Sequence, residues 1–209
     1  MNVLDAVDEF SYPRHGETCR YCALDSQEAA VVSNKDGYAV PSFGAMVEGW
    51  LVIFPREHVL SLADLDEDRW NAFGALVESG RRLVEEQYGA TISFEHGSSG
   101  AGRPAACGVD HAHMHIVPLD IDLRTAIAAV EPEFVDWNPV SGRVCEPTGN
   151  DYLYIRDRSG EWVASREWIS SQVIRRAIAA HLDIAIWDWK ADRRIDIVTA
   201  TRDRFRSVA

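Results

Sequence analysis

The chain has no run of about 18 consecutive apolar residues, so no segment is expected to cross a bilayer as a helix. Its N-terminus, MNVLDAVDEF, carries acids where a secretory signal needs a basic and then an apolar segment, and a soluble, cytoplasmic protein is expected. Positive charge is also scarce. Lys and Arg total 21 against 33 Asp and Glu, a formal net charge of -12, and the basic residues are scattered. A long phosphate backbone would be repelled by such a surface, so no nucleic-acid partner is expected, while small anions held by local donors remain open. Only four cysteines occur, Cys19, Cys22, Cys107 and Cys145, and the close pair in CRYC fits a metal knuckle better than a disulfide framework in an intracellular chain. Internal repeats and low-complexity tracts are lacking too. What is present is ordinary globular material: 209 residues, 46% hydrophobic and 26% charged, enough for one large domain or a domain with an appendage.

The pattern along the chain is of mixed α and β type. AAVVS and YAV flank NKDG, whose Asp-Gly step suits the positive backbone angles of a tight hairpin, and GWLVIFP is a further apolar run ending at a proline. From about Asp66 to Tyr88, the residues Trp70, Phe73, Val77, Val84 and Tyr88 recur every three to four positions, with acids in the first turn and Gly89 just past the end. This predicts one long helix packed on a sheet. TISFEH and HAHMHIVP read as two strands joined by the loop GSSGAGRPAACGVD, and a short helix follows around Leu123 to Val130. The proline-punctuated stretch after it marks a soft boundary, dividing a domain over residues 1–130 from a C-terminal extension over residues 131–209 packed on it. In that extension YLYIRDRSGEWVAS is hairpin-like, and Ile169, Val173, Ile174, Ala177, Ile178 and Leu182 share one helical face, with Ser170 or Ser171 as its cap.

Three of the chain's seven histidines, His111, His113 and His115, alternate, and a strand would project them to one face. Three imidazoles in register suit a metal site or a catalytic row better than a packing role. A mononuclear site would keep a solvent position, whereas dinuclear hydrolases using His-x-His add a nearby carboxylate; Asp110 precedes the row and no acid follows within reach. Alternatively, one imidazole is a nucleophile, its second nitrogen donating to a backbone carbonyl. The Cys-x-x-Cys of CRYC is half a zinc site, with redox or incidental use equally open.

The run His111-Ala-His113-Met-His115-Ile-Val matches His-φ-His-φ-His-φ-φ, where φ is apolar, and GWLVIFPREHVLSLADL lies upstream with Pro-x-x-His in the right order. Over roughly residues 15 to 120 the chain resembles the histidine triad (HIT) superfamily. The resemblance implies an α+β fold with a HIT-like antiparallel sheet and a long packing helix, here carrying the C-terminal helical extension. It also implies a chemistry: His113 attacks the α-phosphate of a nucleotide, forms a nucleotidyl-histidine and yields the group to water or another acceptor. Imidazole suits this, being neutral near pH 7, nucleophilic at one nitrogen and a good leaving group once protonated. His115, on the same face, is placed to donate to a phosphate oxygen or the departing group.

CRYC is similar to the cysteine pair of the zinc-containing branch of that superfamily, which includes galactose-1-phosphate uridylyltransferases. That likeness implies a structural zinc on Cys19, Cys22, His58 and His111, with His15 a rival ligand. SFEHG resembles the Phe-Glu-Asn-x-Gly segment of that branch with His96 at the asparagine position, and the Gly-Gln of small dinucleoside hydrolases reads Ala106-Cys107 here. Ser98 and Ser99 in GSSGAG, together with Ser42, are candidate substrate contacts. The SSQVIRRAIA and IWDWK segments are similar to the tails of larger histidine triad proteins; if that tail reaches substrate, Gln172, Arg175, Arg176 and Lys190 supply the polar groups, while Trp187 and Trp189 suit a core. The expected activity is hydrolysis of a mononucleotide ester, phosphoramidate or dinucleoside polyphosphate, of adenosine by the family's habit. Alternatives are transfer of the nucleotidyl group to phosphate or a sugar phosphate, a non-catalytic nucleotide-binding protein, and a metallohydrolase with the triad as ligands. No organic cofactor is expected, and family habit implies a homodimer through the sheet and long helix.

Overall fold

The computed structural model of the chain describes residues 19–23, 30–98, 111–134, 136–143 and 149–207. Eight strands form one antiparallel sheet: β1 (Val32–Ser33), β2 (Gly37–Pro41), β3 (Leu51–Pro55), β4 (Ile92–Gly97), β5 (Met114–Val117), β6 (Asn138–Pro139), β7 (Asp151–Asp157) and β8 (Gly160–Arg166). Their order is β1-β2-β3-β5-β4-β7-β8-β6. The expected α+β class with an antiparallel sheet is therefore what is found. The hairpin of β7 and β8 also agrees with its sequence pattern, and β7 pairs with β4 through Phe94↔Ile155 and His96↔Leu153. Strands on both sides of residue 130 thus share one sheet.

The first hairpin turn is made differently from its expected form. Gly37 and Asp36 are not among the residues of positive φ. Instead Asn34 closes the turn, its Oδ1 accepting from the amides of Asp36 at 2.8 Å and Gly37 at 3.0 Å, so that a side chain replaces the backbone geometry of an Asp-Gly turn. Gly37 is required for another reason: a Cβ there would stand 2.5 Å from the Phe54 carbonyl oxygen.

Alternation divides the sheet into two apolar faces. On one, Leu51, Ile53, Met114, Ile116, Tyr152 and Tyr154 pack against helix α2 (Glu67–Tyr88). Asp66 starts that helix by accepting from the Arg69 amide, and Gly89 ends it at φ 88. Trp70, Phe73, Leu76, Val77 and Val84 are buried along its inner stripe, each worth roughly 1.5–3 kcal/mol in area removed from water. On the other face, Trp50, Phe94, Val117, Leu153 and Ile155 pack against α3 (Leu123–Val130) and α4 (Val173–His181). Helix α4 starts later than its apolar stripe suggests: Gln172 stands at the cap position in the left-handed region at φ 58, and neither Ser170 nor Ser171 caps it. A last helix, α5 (Ile195–Arg206), returns to the α2 side through Phe205. No helix among the described residues is long and apolar enough to cross a membrane.

Candidate functional site

His115 lies within β5, paired with Val52 of β3 and Phe94 of β4, whereas His111 and His113 precede that strand. The expectation of a continuous strand over HAHMHIVP is corrected accordingly. The physical reason is that the Ala112 amide donates to the Val59 carbonyl at 2.7 Å, in the loop after β3, and not to a strand neighbour. His113 still stays close to the row: its ring is 4.9 Å from that of His115 and 5.4 Å from Phe54.

Each histidine has one nitrogen committed to a partner that can play only one part. The Nδ1 of His113 lies 2.8 Å from the His111 carbonyl oxygen, which only accepts, so the proton sits on Nδ1 and the Nε2 lone pair is free. For His111 it is Nε2–H that donates, to the Pro55 carbonyl at 2.8 Å, leaving the lone pair on Nδ1. His115 reverses the relation to its partner. The indole N–H of Trp50, a donor only, points at Nδ1 of His115 at 3.0 Å, so that nitrogen accepts and Nε2 carries the proton.

The lone pair of His111 faces sulfur. Its Nδ1 is 3.5 Å from Cys19 Sγ and 3.6 Å from Cys22 Sγ, while His58 Nδ1 is 3.4 Å from Cys22 Sγ. All four donor atoms lie within 4.8 Å of one another. Tetrahedral zinc with bonds of about 2.3 Å to sulfur and 2.0 Å to nitrogen would set S···N separations at about 3.5 Å, so these three distances fit that ion. Burial, and then the neighbouring Cys19, push the Cys22 thiol up to about 11, so a nearby cation would be needed to hold that thiol as a thiolate near neutral pH. The Pro55 bond on the far nitrogen of His111 fixes the ring as a second-sphere partner does in metal sites.

An aromatic strut joins this knuckle to the row. Cys19 immediately precedes α1 (Arg20–Ala23) and Cys22 lies within it, and Tyr21 between them stacks on Phe54 at 4.6 Å. Tyr38 donates its phenol to the Tyr21 carbonyl at 2.7 Å and also stacks on Phe54, at 5.4 Å. Phe54 in turn meets both His111 and His113.

The environment keeps the imidazoles uncharged. Burial lowers His111 to about 4 and depresses His113, in each case against the pull of the carbonyl it bonds. His115 is held well below the usual range by burial, then by His113 and Arg175. Phe94 stacks on its ring at 4.6 Å. His96, on β4, is pushed down to about 4 by burial, against the pull of Asp151. His113 adds to that lowering, so the two imidazoles lie near one another.

Of the other candidates, Ser98 is buried just past β4, and Ser99 and His15 lie outside the described residues, as do Ala106 and Cys107. Ser42 sits beside Trp50, its amide donating to the Trp50 carbonyl at 2.9 Å and its hydroxyl to Phe43. Gln172 is buried and donates to Asp188 Oδ1 at 2.9 Å. Arg176 turns to Glu131 and Ser170, and Lys190 stands over the ring of its neighbour Trp189. Trp50 was legible only as part of an apolar run; its even spacing with Val52 and Phe54 was the signal that it shares the histidine face. Arg175 brings the C-terminal segment to the row, its guanidinium 4.7 Å from the Trp50 ring and bonded to the carbonyls of Gly44 and Trp187.

No protein-family model and no curated protein matches the sequence. Among solved structures, a member of the HIT family of proteins from Bacillus subtilis is 15% identical over 57% of this chain and 99% of that one, with a TM-score of 0.42. A hypothetical histidine triad nucleotide-binding protein from Sulfolobus tokodaii is 20% identical over 48% and 68%, with a TM-score of 0.39. A hypothetical protein from Leishmania major is 22% identical over 50% and 75%, with a TM-score of 0.41.

Proposed function

We propose that this chain is a histidine triad nucleotidyl hydrolase acting on a nucleotide conjugate through a covalent intermediate on His113. The observation that carries the reading is the 2.8 Å bond from Nδ1–H of His113 to the His111 carbonyl, which leaves Nε2 as a neutral nucleophile. Nε2 attacks the α-phosphorus, the P–N bond forms, and the bond to the leaving group breaks with its electron pair. The ring then carries the positive charge, shared with the His111 carbonyl through the retained Nδ1–H. Water attacks the phosphorus, the P–N electron pair returns to Nε2, and the water proton goes to solvent. His115 donates from Nε2–H to the charge on phosphate oxygen.

His96, Ser98, Ser99, Ser42 and Gln172 are the proposed substrate contacts. Zinc on Cys19, Cys22, His58 and His111 would supply a closed structural cross-link, with no open position for chemistry. Those residues then tie the knuckle to the triad and, through Tyr21 and Phe54, brace the His113 ring. A soluble cytoplasmic protein, a homodimer and a small nucleotide-containing substrate complete the reading.

The test is acid quench of full-length protein with α-labelled nucleotide conjugates, products being identified by mass with and without added phosphate. A labelled protein adduct, absent in His113→Ala, is expected. An unlabelled protein that still turns over substrate would overturn the covalent route, and a nucleoside diphosphate formed only with phosphate present would identify transfer in place of hydrolysis.

A further inference from the structure

The triad's third histidine is held in an unusual way. Trp50 is fully buried, edge-on to the His115 ring at 5.8 Å, with its N–H aimed at Nδ1. An indole N–H cannot turn round to accept. Protonating Nδ1 would therefore set two donors face to face in a dry site and cost the bond as well. Phe94 covers one face of the imidazole, and the cationic Arg175 lies over Trp50 behind it. During turnover the neighbouring His113, with its ring centre 4.9 Å away, itself becomes positive.

We propose that Trp50 is a positioning residue that locks His115 as a neutral Nε2–H donor, so that His115 stabilises phosphate charge but does not protonate the leaving group. The lock itself follows from the hydrogen bond; its part in turnover rests on the nucleotidyl-transfer reading above. A neutral imidazole that gave up its Nε2 proton would become an imidazolate, too strong a base to form near neutral pH. Without a proton from His115, the leaving group departs as an anion carrying the electron pair of the broken P–O bond. This selects the substrate class: conjugates whose leaving group is a stable anion, such as a phosphate or polyphosphate, over esters of simple alcohols and amides of alkylamines, which need a proton to leave.

The first measurement is the ring 15N and 1H pattern of His115 in 15N-labelled full-length protein between pH 5.5 and 8. A bare Nδ1 and protonated Nε2, unchanged across the range, are expected. Trp50→Phe keeps an aromatic ring without the donor, and there the pattern should shift toward a mixture of tautomers. A doubly protonated or Nδ1–H His115 in the wild type would overturn the proposal, as would an unchanged pattern in Trp50→Phe; if that variant fails to fold, the wild-type spectrum decides alone. The second measurement is kcat/KM for aryl esters of AMP of rising leaving-group pKa, with a steady loss expected. A flat series would mean that a proton is delivered, and the proposal would fail. Failure of every ester to turn over would count against the nucleotidyl-transfer reading and leave the spectroscopic result standing.

Discussion

The two ends of the histidine row use the same side chain for opposite purposes. At the knuckle end, His111 turns its lone pair toward two sulfurs and a second imidazole, and the four donors converge within 4.8 Å. At the other end, His113 and His115 lie with ring centres 4.9 Å apart, yet one presents a lone pair and the other a proton. Neither difference is in the imidazole. It lies in the partner of the committed nitrogen: a carbonyl at Nε2 for His111, a carbonyl at Nδ1 for His113, an indole donor at Nδ1 for His115. Convergent lone pairs make a cation site; a lone pair beside a donor makes a site for attack on phosphorus.

The sharpest way to break that comparison is His113→Ala. Turnover should fall on the order of 10⁴-fold and the labelled adduct should vanish, while stability changes by about 1 kcal/mol or less, read by acid quench and thermal melting. Cys22→Ser should act on the other end. A loss of about 3 kcal/mol, or a melting point lower by roughly 10 °C, is expected, with bound zinc lost by elemental analysis. Chelation that stopped turnover at an unchanged melting point would show that the two ends do not have separate jobs.

A third experiment sets the triad face against the reverse face of the sheet. There Glu95 is buried, accepts from the Leu62 amide at 2.8 Å and from Tyr152 at 2.5 Å, and is pushed by burial from 4.5 up to about 8. A carboxyl raised in this way favours folding fully below 4.5, and that contribution is lost as pH rises toward 8. His96 and His115 have the opposite sense: lowered from 6.5, they contribute fully above that pH and lose stability as it falls, for His96 toward about 4. Denaturant titrations of the wild type should therefore show a maximum, and Glu95→Gln should remove on the order of 2 kcal/mol of the decline between pH 5 and 8. A wild type whose stability is flat from pH 5 to 8 would count against a raised Glu95. The smallest effect is expected from Tyr38→Phe, which removes the bond to the Tyr21 carbonyl; about 1 kcal/mol of stability and a few-fold in zinc affinity should go, measured by competition with a chelating dye.

Much of this molecule could be read from period and punctuation. Helix α2 is legible because Trp70, Phe73, Val77 and Val84 repeat every three to four residues between an aspartate cap and a glycine stop, all local chemistry. The β7–β8 hairpin is legible for the same reason. The turn at Asn34 to Gly37 was legible as a turn but not in its mechanism, since the glycine answers to Phe54, seventeen positions away, and not to its own φ. The Cys-x-x-Cys half of the knuckle could be found by spacing, but its closure with His58 and His111 was available only through resemblance.

By itself, then, the sequence determined helix α2, the β7–β8 hairpin, the fold class and the alternation of three histidines, because periodicity and turn chemistry act over a few residues. Only the tertiary structure decided what each histidine is, because tautomer and charge belong to the nitrogen's partner. For His111 and His115 those partners are the Pro55 carbonyl and the buried Trp50, and Arg175, in a helix over 50 residues beyond the triad, lies over the Trp50 ring. A side chain's chemistry is set at about 3 Å, and chain folding alone brings such distant residues that close.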